Sequence, residues 1–520
     1  MIKEIKMRAV YVCCIADPYL DVALRLRKEK GLEPVYWIGD ISSPNDDAEA
    51  LLKAKLPETT YQGYNEAWHG VFPREIEEAA LSETIDVDFL RGFISEEFQS
   101  LSMMDRLDYD RKSFCFMERE RYFISLVRKW QAFIKIYKPD IVIAANNPHR
   151  VFDHALYLVC KYNGIRFISS IYAQVYGRMI MLEDFRKPNC VGDVMDEAYA
   201  NNLQNEVAES SLPEDILKNY ERLQKDYEEA RPDYMVTFNT LNSKNKNYFF
   251  LFRRFAADHS LFGKDSMLKG QDRTIYKNGK SKIENWRFSL WDWYSMRKKA
   301  DKYKKMLYNH YDEISEEPPL NVPYVAFFLH YQPEENTSPN GDIFANQFLC
   351  VLTLLKNLPD NVMVYVKEHP HMFMSHRQGQ TKRIIDFYDD LAAIPRVRLV
   401  NFSMDSFRLI SNAMAVSTVA GTAGWEASVK QKPVIVFGIC WYERMKGVLR
   451  ITDDESAKGI YKFIQNYIFD RQAILAYLYT LAQKSYKAYN YRGYKEITGY
   501  SHEESVENIY NALIPIIFKN

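Results

Sequence analysis

The sequence predicts an α/β protein of two parallel-sheet domains that face each other across a cleft, with a helical insertion between them. Short apolar runs alternate with helical patterns from Ala9 to Ser170 and again from Tyr324 to Phe437, the pattern of strands joined by crossover helices. Between them, residues 191–319 carry long charged helical patterns that end at Glu316-Glu317-Pro318-Pro319, where two prolines stiffen the chain as a linker. A chain of 520 residues also exceeds what one hydrophobic core fills, so two or three domains are expected.

Taken in order, Ala9 to Cys14 is apolar and reads as a central strand, broken by Asp17-Pro18. Tyr19 to Lys30 carries Leu20, Ala23, Leu24 and Leu26 at helical spacing, Gly31 is placed to cap it, and Pro34 to Ile38 is the next strand. Right-handed crossover makes these strands parallel and the domain Rossmann-like. Ser42 to Met117 yields no functional reading. Order returns with a helix at Arg121–Tyr137, a strand at Ile141–Ala145, a helix at Phe152–Tyr162 and a strand at Ile165–Ser170. After an amphipathic helix at Leu212–Ala230, the segment Tyr248–Tyr311 interleaves Phe249 to Phe255, Trp286, Trp291 and Trp293 with Arg253, Arg254, Arg297, Lys298, Lys299, Lys302, Lys304 and Lys305. Such a mixture suits an anionic membrane surface or a polyanionic acceptor, and equally a solvated helix face with its aromatics turned inward. The second domain then runs through strands at Tyr324–Leu329, Val362–Lys367, Val397–Val400, Ala415–Ser417 and Pro433–Phe437, with helices at Ile343–Leu358, Thr381–Leu391, Ser406–Asn412 and Ala423–Lys430 between them. The expected limits are 1–190, 191–319 and 320–452, with C-terminal helices over 453–520.

Composition excludes several classes. Lys and Arg number 68 against 69 for Asp and Glu, so the net charge of -1 argues against a nucleic-acid partner. Seven scattered cysteines lack paired metal-ligand spacing and read as reduced core residues of a cytoplasmic protein with no metal site and no cofactor. The apolar run after Lys3, Lys6 and Arg8 enters Asp17-Pro18 and not a small-residue cleavage site, so it is read as a buried strand. No stretch reaches the ~20 apolar residues of a membrane span, which leaves at most peripheral contact with the inner membrane.

The residues with chemistry gather at strand ends, where an open parallel sheet lines its ligand crevice. One strand ends in Lys367-Glu368-His369-Pro370, whose Lys367 and His369 offer charge or donors to a phosphate. Another ends in Ser417-Thr418-Val419-Ala420-Gly421-Thr422-Ala423-Gly424 and opens into a helix, so Thr422, Ala423 and Gly424 present backbone N–H groups to an anion. Gly421 and Gly424 permit close backbone approach, and Glu426 either reaches a ribose diol or complements the helix dipole. The loop from His330 to Ser338, including Gln332, is polar as a sugar-binding loop should be; its Glu334 or Glu335 either steadies an oxocarbenium ion or belongs to a solvated acidic turn. In the first domain His149, Arg150 and Asp153 face the cleft or cap the helix that follows. His149 is the first candidate for a catalytic base and Asp17 the second.

Three segments carry a resemblance: LHYQPEENTSP, VYVKEHP and STVAGTAGWEASVKQKPVIVFGICWY. They resemble the C-terminal domain of the bacterial capsule-polysaccharide biosynthesis glycosyltransferases, including the Kdo transferases of capsule assembly, over roughly Val325 to Tyr442. His369-Pro370 with Ser417-Thr418 is also similar to the HP and S-S/T motifs of bacterial sialyl- and polysialyltransferases, although Glu183-Asp184 is followed by Phe185 where their acidic motif would need Gly. The resemblance implies a GT-B enzyme that moves an acidic sugar of Kdo or sialic-acid type from a CMP-sugar to a surface or capsular glycan, without a metal. It places His369 and Ser417-Thr418 at the donor phosphate and Glu426 near the ribose. A UDP-sugar 2-epimerase, a UDP-sugar transferase, or a non-catalytic binding subunit of a capsule assembly complex are the rival expectations.

Overall fold

Each run of alternating strands and helices closes into its own sheet. The computed structural model describes residues 7–39, 48–108, 111, 114–175, 177–225, 273–277, 280–284, 290–374, 377–490, 494–495 and 498–518. The first sheet contains β1 (Arg8–Val12), β2 (Glu33–Ile38), β3 (Thr60–Gln62), β4 (Ile141–Ala144), β5 (Arg166–Tyr172) and β6 (Arg178–Glu183). A hairpin, β7 (Arg273–Lys277) and β8 (Lys280–Glu284), stands apart from both sheets. The second sheet contains β9 (Tyr324–Phe328), β10 (Met363–Lys367), β11 (Val397–Leu399), β12 (Ala415–Thr418), β13 (Val434–Val436) and β14 (Val448–Arg450). A short β15 (Tyr486–Lys487) returns to the first sheet, whose order is β15-β6-β5-β4-β1-β2-β3, while the second runs β11-β10-β9-β12-β13-β14.

The second sheet is parallel throughout, and in the first only β6 is reversed, pairing antiparallel with both β5 and β15. Parallel strands need both faces covered, and the central strands show it. In β1, Val10 and Val12 enter one core while Ala9 and Tyr11 enter the other; in β9, Tyr324 and Ala326 are likewise divided from Val325 and Phe327. The protein is thus a mixed α/β molecule with two Rossmann-like domains, as the alternation implied.

The differences from expectation are local. The strands β3, β6, β14 and β15 are short or lie at or near sheet edges, where little apolar periodicity accumulates. The helix expected from Thr381 is a 3-10 turn at Gly379–Thr381 followed by a helix at Ile385–Ala392. The turn lies so close to the preceding loop that a Cβ on Gly379 would sit 2.1 Å from the Met372 carbonyl oxygen. The amphipathic helix expected over Leu212–Ala230 is described as Glu214–Gln224, and 226–230 lie outside the described residues. Of Tyr248–Tyr311, the run Phe249 to Phe255 and Trp286 also lie outside them. The helix Leu290–Ile314 exposes Lys298, Lys299, Lys302 and Lys305, but Lys304 turns inward and donates to the carbonyls of Met374 (2.9 Å) and Arg377 (3.1 Å). Lys304 therefore does not belong to the basic face in which the sequence reading placed it. No described helix is long and apolar enough to cross a membrane.

Beyond the second sheet the chain crosses back. The helix Arg471–Lys484 packs on Gly192–Leu203, with the Tyr199 hydroxyl donating to the Ala473 carbonyl at 3.1 Å. The last helix, His502–Ile517, packs on the first, Ala16–Lys30, with Arg25 lying 3.8 Å from the centre of the Tyr510 ring. His502 joins these two helices, with Nδ1 on Asp17 and Nε2 on Asp21 at 2.8 Å. A carboxylate on each ring nitrogen favours the doubly protonated ring. Burial lowers the His502 pKa, but its hydrogen bonds to Asp17 and Asp21 outweigh this and raise the group above its usual 6.5. A raised histidine pKa contributes stability that is complete below the unfolded value and lost as pH rises through the folded one. His502→Gln is expected to cost roughly 0.5–1 kcal/mol near pH 6 after solvent screening. The urea-unfolding midpoints of variant and wild type should converge as pH rises through the raised pKa of His502; parallel midpoints across that range would count against the clamp.

Candidate functional site

Strand order determines where the loops part. In the first sheet the chain passes from β1 outward to β3 on one side and from β4 to β5 on the other, so the loops after β1 and β4 diverge and open a crevice. The second sheet repeats this with β9 to β11 and β12 to β14, opening its crevice between the loops after β9 and β12. Register keeps the exits level, because Lys367 of β10 and Thr418 of β12 both pair with Phe328 of β9. The two crevices meet through contacts between the halves: Asn147 Nδ2 donates to Asn340 Oδ1 at 3.1 Å, Gln99 to Asp342 at 2.7 Å, and Lys382 to Ser102 at 2.5 Å.

On the second-sheet side, the loops are framed around Arg383. Its guanidinium donates to Glu368 Oε2 (2.7 Å), Gln332 Oε1 (2.7 Å) and the His330 carbonyl (3.2 Å). Glu368 also accepts from the Tyr388 hydroxyl (2.8 Å) and from the backbone N–H of His369 (2.7 Å). Glu368 and Gln332 are thus committed to holding the loops after β9 and β10 in register. Lys367 is buried and donates to the Met404 carbonyl; burial lowers its pKa to about 8. His330 Nε2 accepts the Ala420 backbone N–H at 3.0 Å and lies 3.0 Å from Thr418 Oγ1, so its proton resides on Nδ1. It pins the turn that enters the helix Thr422–Val429. That turn requires glycine: a Cβ on Gly421 would lie 2.9 Å from Thr418 Oγ1, and one on Gly424 only 2.3 Å from the Tyr442 hydroxyl. Ser417 Oγ is buried beneath the turn without a hydrogen-bond partner. Burial raises the Glu426 carboxyl, against a hydrogen bond from Thr422 and the charge of Arg222.

His369 lies at the rim of this frame. Its Nδ1 accepts the His371 backbone N–H at 3.1 Å, which leaves Nε2 as the protonated nitrogen. Burial, with the neighbouring His371 and arginine charges, lowers its pKa well below the usual value.

Across the cleft, His149 is fixed the other way round. Its Nδ1 lies 2.9 Å from the Asn147 carbonyl oxygen, which can only accept, so Nδ1 carries the proton and Nε2 the lone pair. Burial and the charges of Arg150 and Arg106 hold its pKa well below 6.5, so the ring is neutral near pH 7. Glu335 approaches from the opposite half, its Oε2 3.6 Å from His149 Nδ1. Burial pushes the Glu335 carboxyl up to about 8, with Arg106 opposing and Glu334 adding to the rise. Burial also raises Glu334, and it raises Asp153 to about 7 although Asp153 Oδ1 accepts the Arg150 N–H at 2.8 Å. Arg106 donates to the His149 carbonyl.

The structure therefore brings His330, Gln332, Glu334, Glu335, Lys367, Glu368, His369, Ser417, Thr418, Gly421, Thr422, Gly424 and Glu426 to one set of loops, and sets His149 and Asp153 against them. Asp17 is engaged elsewhere, by the Tyr489 hydroxyl (2.5 Å), Lys495 (2.7 Å) and His502. Arg106 and Arg383 are the residues that sequence reasoning missed. Arg383 lay inside a predicted helix, and Arg106 in the stretch that had no reading.

Residues 342–491 match the family model described as capsule polysaccharide biosynthesis protein, so the resemblance carried by the motifs is borne out over that segment. The capsule polysaccharide modification protein LipA of Neisseria meningitidis serogroup B is 26% identical over 138 residues, 26% of this chain and 19% of the relative. The aligned stretch thus spans about a fifth of that relative's length. Among solved structures, the UDP-GlcNAc 2-epimerase from Methanocaldococcus jannaschii is 11% identical, with a TM-score of 0.25 over 90% of this chain and 94% of its own. The beta Kdo 2,7 transferase of Thermosulfurimonas dismutans KpsC is 9% identical, with a TM-score of 0.27 over 74% of this chain and 89% of its own. The sheet orders, not these likenesses, define the fold.

Glu368 and Arg383 are both buried, and removing one partner strands the charge of the other. Arg383→Met is expected to lower unfolding stability by about 3–5 kcal/mol. Glu368→Gln, which keeps neutral hydrogen bonds but still strands the guanidinium, should cost somewhat less in the same denaturant titration. An Arg383→Met midpoint close to wild type would show that the pair does not hold the loops.

Proposed function

We propose that this protein is a glycosyltransferase of capsule or surface-glycan synthesis that transfers an acidic sugar, of Kdo or sialic-acid type, from a CMP-sugar to a glycan acceptor. It works in the cytoplasm, at most peripheral to the membrane. One observation carries the reading: the loops after β4 and β10 hold histidines in complementary tautomers, His149 with the lone pair on Nε2 and His369 with the proton on Nε2. Glycosyl transfer needs both, a base for the acceptor hydroxyl and a donor for the departing phosphate. The family match over residues 342–491, which includes the turn at Gly421–Gly424, supports a capsule glycan as the setting.

In the reaction, the acceptor oxygen forms its bond to the anomeric carbon as the bond from that carbon to the phosphate oxygen breaks. The hydroxyl proton passes to His149 Nε2, and the electron pair leaves with the phosphate. The charge that develops on the phosphate is met by His369 Nε2–H and by backbone N–H groups at the start of the helix Thr422–Val429. In this reading Glu426 accepts from the ribose hydroxyls. The frame around Arg383 keeps these donors fixed, so little reorganisation accompanies charge development.

Calorimetry with CMP, UDP, GDP and ADP tests the donor. CMP is expected to bind best, His369→Ala to weaken it about tenfold, and His149→Ala to leave it unchanged while slowing release of CMP from a CMP-sugar by 10²–10⁴-fold. Preference for UDP would point to an epimerase or a UDP-sugar transferase, and absence of nucleotide binding to a non-catalytic subunit.

A further inference from the structure

The loop after β9 continues past Glu335 to Ser338-Pro339-Asn340, and this stretch has no role in the frame around Arg383. Asn340 is 1% exposed and its amide reaches across the cleft. Ser169 Oγ donates to Asn147 Oδ1 at 2.7 Å, and Asn147 Nδ2 donates to Asn340 Oδ1 at 3.1 Å. The other end of that amide, Nδ2, has no hydrogen-bond partner although it is buried. Turning every amide in the chain end for end would change which atom is left over, not whether one is. Two residues earlier Ser338 is 9% exposed, and its hydroxyl is also buried without a partner. Two such groups on one short loop are costly unless something hydrogen-bonds them.

The surroundings say what that is. The Asn340 backbone packs against the loop after β13, its carbonyl accepting the Ile439 N–H at 2.9 Å and lying 2.8 Å from where a Cβ on Gly438 would be, while the adjacent Gly341 approaches the chain that enters the phosphate-side turn, since a Cβ on it would lie 2.8 Å from Val419 Cγ1. On the opposite side, Asn147 binds the Asn340 amide through its side chain and holds the His149 ring through its carbonyl. Asn340 also donates its own N–H to the Glu335 carbonyl at 3.2 Å. It therefore lies between the turn that takes the phosphate and the histidine that takes the proton, which is where the transferred sugar must sit.

We infer that Asn340, assisted by Ser338, binds the hydroxyl or carboxylate oxygens of the transferred sugar and so helps to select it; this rests on the glycosyltransferase reading. The amide recognises the sugar and the nucleotide is recognised elsewhere, so the two contributions separate. A nucleotide sugar should lose affinity when Asn340 is changed, and the bare nucleotide should not.

The test compares paired probes by calorimetry: CMP with CMP-Kdo and with CMP-sialic acid, and UDP with UDP-N-acetylglucosamine. Asn340→Asp keeps an acceptor for Asn147 while removing the NH2 group, and Ser338→Ala leaves the cross-cleft contact intact. For whichever pair the wild type binds, Asn340→Asp is expected to weaken the nucleotide sugar about tenfold and Ser338→Ala about threefold, both with unchanged affinity for the bare nucleotide. Wild-type affinity for the nucleotide sugar in both variants would overturn the inference and leave the two groups to internal water. A wild type that binds no nucleotide sugar would instead remove the donor reading, and the inference with it.

Discussion

The buried pair of Glu368 and Arg383 is the constraint on which the second-sheet side of the cleft depends. Two charges withdrawn from water are stable only if each is paired and its remaining hydrogen-bonding groups are used. Here that requirement organises the neighbourhood. Glu368 takes Arg383, Tyr388 and the His369 N–H, while Arg383 spends its other donors on Gln332 and the His330 carbonyl. Three loops from β9, β10 and the turn beyond it thereby become one rigid frame. A fully satisfied polar network of this kind specifies geometry more than it adds stability.

Rigidity of the frame gives the histidines their chemistry. In both His149 and His369 the tautomer is dictated by a backbone group, a carbonyl in one and an N–H in the other, which cannot change its role as a side chain can. Burial lowers both pKa values, so each ring is neutral near pH 7 and each nitrogen has one assignment. His330 is turned to structure instead, because the backbone N–H of Ala420 takes its Nε2 and not its Nδ1. The distinction between a structural and a chemical histidine therefore lies in which nitrogen the backbone occupies.

The cleft is closed by contacts that are polar. Asn147 meets Asn340, Gln99 meets Asp342, Lys382 meets Ser102 and His149 approaches Glu335. Away from these contacts the halves share apolar packing, since one cluster includes Val10 and Val12 of the first sheet and Tyr324 and Ala326 of the second. The C-terminal return, through Arg471–Lys484, β15 and His502–Ile517, ties the last residues back to the first sheet and holds Asp17 in its ion cluster, away from the role of base.

Much of this was legible in the chain. Apolar runs of strand length and helices of 3.6-residue period located nearly every central element, because parallel strands buried on both faces must be apolar throughout. The strand-end motifs at Lys367–Pro370 and Ser417–Gly424 named one wall of the cleft, since a glycine turn opening into a helix is encoded within a few residues. Edge strands such as β3 and β15 carry too little periodicity to be read. Partnership was decided only by tertiary structure. Asn147 meets Asn340 across 193 residues of sequence, and nothing near either predicts it. Arg383 became the centre of the frame, Lys304 turned inward, and Asp17 was drawn to His502, because burial and long-range pairing assign a charged side chain its role after the two sheets have docked.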